Sequence, residues 1–421
     1  MASIAALHRI RRASVWYAAS ILLTGIVSLL SIVLIKQKLG NSGYAFFSIM
    51  LNTTLVLVII GQGWITQSTL RYVQLAGDGK GIGSIRSLKY GIAGSLVISV
   101  LACLFLMASG QVGWIAPVLI ILLPGSLQAV MSSVFQGMQQ PKIYFYSEAI
   151  RSVVLFFAIL VPSIFHFDAG IYYYAFCYSI AYWVAFAFLL LRLYFNRTTW
   201  VVGTNAGISL TQLLRFGVPM MVWLASNYAM MLADRYVLLR QTNIDALGNY
   251  TAMADVLIRV TGFLLSPVVT AAYPVFAQIK MGKQDTGLRG ILPKLLLAQA
   301  ALLAACLLGF ALFYRILFNW LQIPSEHFNT MFYGGLLLIL AGSFWQMSTL
   351  LQKPLELSGK TMPLMMAVIM ATLITYLLNF LFIPALGIPG APLAYVGGCL
   401  AYIAGLVWLL SRPVLFNKMA T

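Results

Sequence analysis

Apolar residues in this chain come in long runs, separated by short stretches where the polar and basic residues gather. A helix needs about 20 apolar residues to cross roughly 30 Å of hydrocarbon. Measured against that length, the sequence predicts twelve spanning helices over 15–35, 44–70, 88–109, 113–137, 144–165, 171–192, 213–239, 248–277, 292–318, 330–352, 362–383 and 390–411. The longest connections, near 73–87, 193–212 and 278–291, leave no room for a soluble domain. The expected fold class is therefore an all-α polytopic membrane protein.

Composition sharpens this picture. Of 421 residues, 61% are hydrophobic and 8% charged, against roughly 25% charged in soluble domains. That excludes a soluble enzyme, a nucleic-acid-binding protein and a disordered chain. The net charge of +17 fixes orientation, because cytoplasmic loops of membrane proteins carry an excess of Lys and Arg. With the N-terminus in the cytoplasm, 20 of the 26 basic residues fall on the cytoplasmic side. The other six are Lys36, Lys38, Arg235, Arg240, Arg259 and Arg315. The split supports an even span count, both termini in the cytoplasm and a bacterial inner-membrane location. Arg9, Arg11 and Arg12 precede a run long enough to span and without an AxA-like exit, so no cleavable signal peptide is expected. Cys103, Cys177, Cys306 and Cys399 lie far apart inside apolar runs and read as small core residues, neither a disulfide framework nor a metal site.

The first connection reads Leu39-Gly40-Asn41-Ser42-Gly43-Tyr44, and one half-chain later comes Ala246-Leu247-Gly248-Asn249-Tyr250. Each follows the first span of its half and opens the second. Six spans per half make a parallel repeat: an N-terminal lobe over 1–195, a cytoplasmic linker over 196–212 and a C-terminal lobe over 213–421. Such a repeat has its pseudo-twofold axis along the membrane normal and a substrate path between the halves. Two ordinary helix-start turns would give the same dipeptides.

Further short motifs stand in order along the chain. They are Gly61, Gly63 and Arg71-Tyr72 ending the second span, Phe216-Gly217-Val218-Pro219, Asp234-Arg235-Tyr236, and Asn379 through Pro384, Gly387-Ile388 and Gly390-Ala391 near the end. With the Gly-Tyr turns they give the chain, over its whole length, a pattern that resembles the polysaccharide transporter family. These are the Wzx-type flippases of lipid-linked oligosaccharides such as O-antigen repeat units. Their superfamily also includes the multidrug and toxin extrusion exporters and the peptidoglycan-precursor flippases, which usually carry two further spans. The resemblance implies a V-shaped, two-lobed exporter fold. It implies movement of an undecaprenyl-diphosphate-linked oligosaccharide from the cytoplasmic to the periplasmic leaflet, by alternating access through a cationic central cavity. No cofactor is expected; Asp255, Asp234 and Glu148 are the candidate carriers for proton or sodium coupling. The partners would be the lipid-linked substrate, membrane lipids, a polysaccharide polymerase and a chain-length regulator.

Charged residues inside the membrane are the candidate chemistry, since each costs roughly 2.5–3.5 kcal/mol at a helix centre on insertion scales. Arg259 lies eleven residues past Gly248, or about 16 Å of helix, near the midplane. Asp255 sits one turn earlier on the same face. Arg259 either grips a diphosphate with its guanidinium fork or pairs with Asp255 and is neutralised. Asp234 and Arg235 lie towards the periplasmic end of span seven, as part of a site or as an interfacial cap. Glu148 and Arg151, with Lys142 just outside, form a cationic mouth or a helix-end salt bridge on span five. Arg71 anchors the topology or touches the substrate. Lys36 and Lys38 run against the charge bias and are candidates to receive a diphosphate at the periplasmic exit. Asn52, Asn227 and Asn379 are polar cavity candidates, although interhelical hydrogen bonding explains most such residues. Tyr172, Tyr173, Tyr174, Tyr178 and Trp183 read as an interfacial aromatic belt.

Two other function classes compete. A multidrug exporter would need unpaired intramembrane carboxylates for cationic substrates; span one has none, and Asp255 has Arg259 beside it. A membrane polymerase would need carboxylates or His converging on a sizeable aqueous loop. The periplasmic candidates, His166 with Asp168 and Glu326 with His327, stand on short connections far apart. No catalytic residue, metal ligand or nucleotide-binding Gly-rich motif is assigned.

Overall fold

The computed structural model describes residues 2–73, 84–108, 112–195, 209–280 and 288–411. Most of the expected linker 196–212, and the basic residues Lys80, Arg197, Lys283, Arg412 and Lys418, lie outside them. The described residues form eleven α-helices: α1 (Ala2–Tyr72), α2 (Ser84–Ala108), α3 (Ile115–Gly137), α4 (Pro141–Ile164), α5 (Ile171–Phe195), α6 (Leu210–Gln241), α7 (Ile244–Lys280), α8 (Leu288–Trp320), α9 (Phe328–Leu357), α10 (Thr361–Leu386) and α11 (Gly390–Ser411). Short 3-10 turns at Val112–Trp114 and Ser325–His327 precede α3 and α9.

Each of the eleven helices contains a stretch long and apolar enough to cross a membrane. The first such stretch, Val15–Tyr72, has 58 residues and would reach about 87 Å if straight, far more than one crossing. Helical geometry breaks inside it at Gly40 (φ 68°, ψ −173°), a left-handed conformation that costs Gly nothing and most other residues much. The break accounts for the twelfth expected span. The physical reason no loop separates the first two spans is that a single glycine suffices to turn one helix into the next.

The chain divides into two compact units that trade segments. Unit 1 is Met1–Leu39 with Phe47–Ala225, and unit 2 is Gly40–Phe46 with Ser226–Thr421. The seven-residue turn at Gly40 thus belongs to unit 2, while α6 begins in unit 1 and ends in unit 2.

Within unit 1, α3 is the most enclosed helix; α2, α4 and α5 all pack against it, and α4 packs on α5. Val130 joins Ile65, Val73 and Leu213 in one core cluster, and Met131 and Phe135 join Leu189 and Leu193 in another. Within unit 2, α9 holds the equivalent place, with α7, α8, α10 and α11 around it and α10 packed on α11. Counting the broken α1 as two spans, α3 and α9 are the fourth spans of their halves. In both units the helix before this one and the two after it pack against it. Outward positions stay apolar: Leu297, Leu308, Leu312 and Phe313 on α8 are all exposed, as suits a helix bathed in lipid rather than water.

Candidate functional site

The charged interior of unit 2 is assembled from three segments. The turn at Gly40–Phe46 supplies Tyr44, α6 supplies Asp234 and Arg235, and α7 supplies Tyr250, Asp255 and Arg259. Close backbone approach brings the turn and α7 together. A Cβ added at Gly248 would lie 2.0 Å from the carbonyl oxygen of Asn41, so the contact exists only because residue 248 has no side chain. The two repeat motifs of the sequence, Leu39–Tyr44 and Leu247–Tyr250, therefore meet.

Each motif ends in a buried tyrosine that serves an aspartate. The Tyr44 hydroxyl donates to Asp255 Oδ2 at 2.8 Å. The Tyr250 hydroxyl donates to Asp234 Oδ2, while Asp234 Oδ1 has no hydrogen-bond partner. The remaining Asp255 oxygen, Oδ1, accepts from Arg235 Nη2 at 2.7 Å. Arg235 is 1% exposed and Asp255 5%. Two opposite charges at this depth survive only when both are paired and hydrogen-bonded, and here each is.

Arg259 stands outside this arrangement. It is half-buried, and among the described residues it forms no ion pair. The expected neutralising pair between Asp255 and Arg259 is not formed. Arg235, reaching across from α6, takes the carboxylate instead. Arg235 itself, expected at a substrate surface or an interfacial cap, is enclosed and engaged inside the protein.

Unit 1 has its own polar cluster, on α3 and α4. Both Nε and Nη2 of Arg151 donate to Glu148 Oε2, at 3.0 and 2.7 Å. Gln128 Nε2 donates to Glu148 Oε1 at 2.7 Å. The Arg151 guanidinium also lies over the Tyr182 ring, 5.5 Å from its centroid. Glu148 and Arg151 thus form a salt bridge at 2.7 Å.

The other candidates scatter. Arg71 is exposed and lies over the rings of Phe216 and Tyr72, at 4.4 and 5.5 Å. Lys38 is exposed, but Lys36 is 1% exposed. Lys36 was expected in an open connection; because the helix continues to the break at Gly40, it falls in the packed interior. Asn52 donates to the Ser48 carbonyl and Asn379 to the Thr375 carbonyl, each one turn back on its own helix. The Oδ1 atoms of Asn227 and Asn379 are buried without a partner. Tyr174 and Tyr178 are buried against Phe47, so these two members of the expected aromatic belt belong to the core, whereas Tyr172 is exposed.

Sequence reasoning missed Tyr44, Tyr250 and Gln128. The tyrosines carried a signal, since both close the repeated motif. Gln128 carried none, because its partner stands on another helix. Among the described residues no group of three His, Cys, Asp or Glu could hold a metal ion.

The fold places the chain among known structures. An outward-facing multidrug resistance MATE family transporter of the MOP superfamily is 15% identical, with a TM-score of 0.70 over 98% of this chain and 97% of that one. A MOP superfamily transporter from Pyrococcus furiosus, whose binding pocket is described as having reverse polarity, is 14% identical, with a TM-score of 0.72 over 98% and 96%. The Vibrio cholerae MATE transporter VcmN is 16% identical, with a TM-score of 0.69 over 99% and 100%. The protein is thus a multi-pass membrane protein built on the MOP exporter fold. Within that class, a profile described as polysaccharide biosynthesis protein matches residues 10–280, and the chain belongs to this family. The comparison with curated proteins finds no match.

Proposed function

We propose that the protein is a flippase that moves an undecaprenyl-diphosphate-linked oligosaccharide from the cytoplasmic to the periplasmic leaflet, for surface polysaccharide biosynthesis. It works by alternating access in a bacterial inner membrane, with both termini in the cytoplasm. Membership of the polysaccharide biosynthesis family supports this class of substrate. The observation that carries the reading is Arg259. A half-buried guanidinium near the middle of a spanning helix, with no ion pair among the described residues, suits a ligand that brings its own negative charge. A guanidinium fork matches diphosphate oxygens two at a time. Lys38 and Arg71, both exposed, are further cations for the headgroup on its way.

A second reading, export of cationic drugs, is favoured by one observation: Asp234 Oδ1 is buried without a partner. Glu148 and Asp255 do not add to it, because each is held by an arginine.

The test is a chromosomal deletion complemented with variants matched for membrane level. Loss of the surface polymer with lipid-linked units retained on the cytoplasmic leaflet is the expected phenotype. Arg259→Ala should fail to complement by at least about tenfold in flux, the equivalent of 1.4 kcal/mol, while Asp234→Asn complements. Units that accumulate unpolymerised in the periplasmic leaflet would mark a polymerase. A drug-sensitive phenotype abolished by Asp234→Asn and indifferent to Arg259→Ala would mark an exporter.

A further inference from the structure

Asp255 and Arg259 are four residues apart on α7, with the acid on the N-terminal side, the favourable order for a helical ion pair. In a membrane interior, where screening is weak, their attraction exceeds its value in water. Yet they do not pair. Both oxygens of Asp255 are already taken, Oδ1 by Arg235 at 2.7 Å and Oδ2 by Tyr44 at 2.8 Å. Arg235 is 1% exposed and cannot itself reach a ligand. The two arginines of this interior therefore divide the work: the enclosed one satisfies the aspartate and the half-buried one stays without a counter-ion.

We propose that Arg235 is a positioning residue: by occupying Asp255, it leaves Arg259 without a counter-ion and available to an anionic lipid headgroup. The proposal rests on the reading of Arg259 given under Proposed function. Tyr44 is its auxiliary, donating to the second oxygen of Asp255 at 2.8 Å. This also accounts for the chain's use of a deeply buried ion pair, which is a weak source of stability in itself. Its value here lies in what it prevents.

The experiment uses the full chain in nanodiscs, with undecaprenyl diphosphate as the probe and equilibrium binding as the readout. Arg235→Gln frees Asp255 to swing one turn along α7 to Arg259, and affinity should fall about tenfold. Adding Asp255→Asn in the same chain removes the competitor, and affinity should return to within about twofold of wild type. Arg235→Lys, which can still hold Asp255, should bind as wild type. Arg259→Gln should bind weakly alone and together with Asp255→Asn and Arg235→Gln. A merely structural Arg235 would also be rescued by neutralising its partner, but in stability; affinity is therefore read on the folded fraction, where a structural role predicts no loss in Arg235→Gln. A folded Arg235→Gln/Asp255→Asn protein that stays without affinity, or a folded Arg235→Gln protein that binds as wild type, would overturn the proposal while the reading of Arg259 stands. An Arg235→Gln protein that does not fold, beside a double variant that folds and binds as wild type, marks a purely structural pair and overturns the proposal. Undiminished binding by Arg259→Gln would instead sink the proposed cation and the proposal with it.

Discussion

The two units solve the same problem, a carboxylate inside a membrane, in different ways. In unit 1 the partner is local. Glu148 and Arg151 are three residues apart on α4, so helical spacing alone brings them together, although Gln128 and Tyr182 of other helices also hold them, and the side chains keep 10% and 19% of their exposure. In unit 2 the partner is distant. Arg235 comes from a neighbouring helix, twenty positions from Asp255, and its side chain is 1% exposed. A local pair cancels its own charge and leaves nothing over. A pair made across helices, where a second arginine stands within reach on the same helix, leaves that second cation uncancelled. The lesson is that spacing along one helix shows which pairs are possible, and packing decides which are made.

The comparison breaks most readily on stability. Asp255→Ala strands an enclosed arginine and should cost on the order of 3–5 kcal/mol. Glu148→Ala strands an arginine that keeps some exposure and lies over the Tyr182 ring, and should cost on the order of 1–3 kcal/mol. Reversible denaturation of both variants in the same detergent checks the order, and equal losses would erase the distinction between the units. Tyr250→Phe sharpens it further. It leaves both oxygens of Asp234 without the tyrosine's hydrogen bond and should cost about 1–2 kcal/mol, with Asp234→Asn in the same chain recovering part of the loss. The smallest effect is expected at Arg71, where the guanidinium lies over Phe216 and Tyr72 in unit 1. Arg71→Ala should cost about 0.5–1 kcal/mol, and Arg71→Lys less. A loss at Arg71 as large as that at Asp255 would mean that unit 1 holds an interior ion network of its own.

The motifs that first tied the chain to its family acquire a physical meaning in this light. Arg71 and Tyr72 meet Phe216, and a Cβ at Gly217 would fall 2.1 Å from the Trp64 carbonyl oxygen, all within unit 1. Asn41 and Tyr44 meet Gly248 and Asp255 within unit 2. The repeated and shared residues are places where helix backbones touch, and the buried acids are fastened beside them.

Read alone, the sequence determined the fold class and the positions of the spans. The reason is that hydrocarbon accepts only a helix of a certain length, with its polar groups satisfied internally, so a run of apolar residues has one outcome. Ten of the expected spans return as separate helices, and the first two are joined only because Gly40 turns the chain without a loop. The local pair of Glu148 and Arg151 was legible for the same kind of reason, since helical spacing alone brings the two together. The choice between Arg235 and Arg259 as the partner of Asp255, the enclosure of Lys36 and the service of Tyr44 to an acid 211 residues away were decided by tertiary structure. Each depends on which helix faces lie against which, and on a glycine that admits a neighbouring backbone, and no spacing along a single helix contains that information.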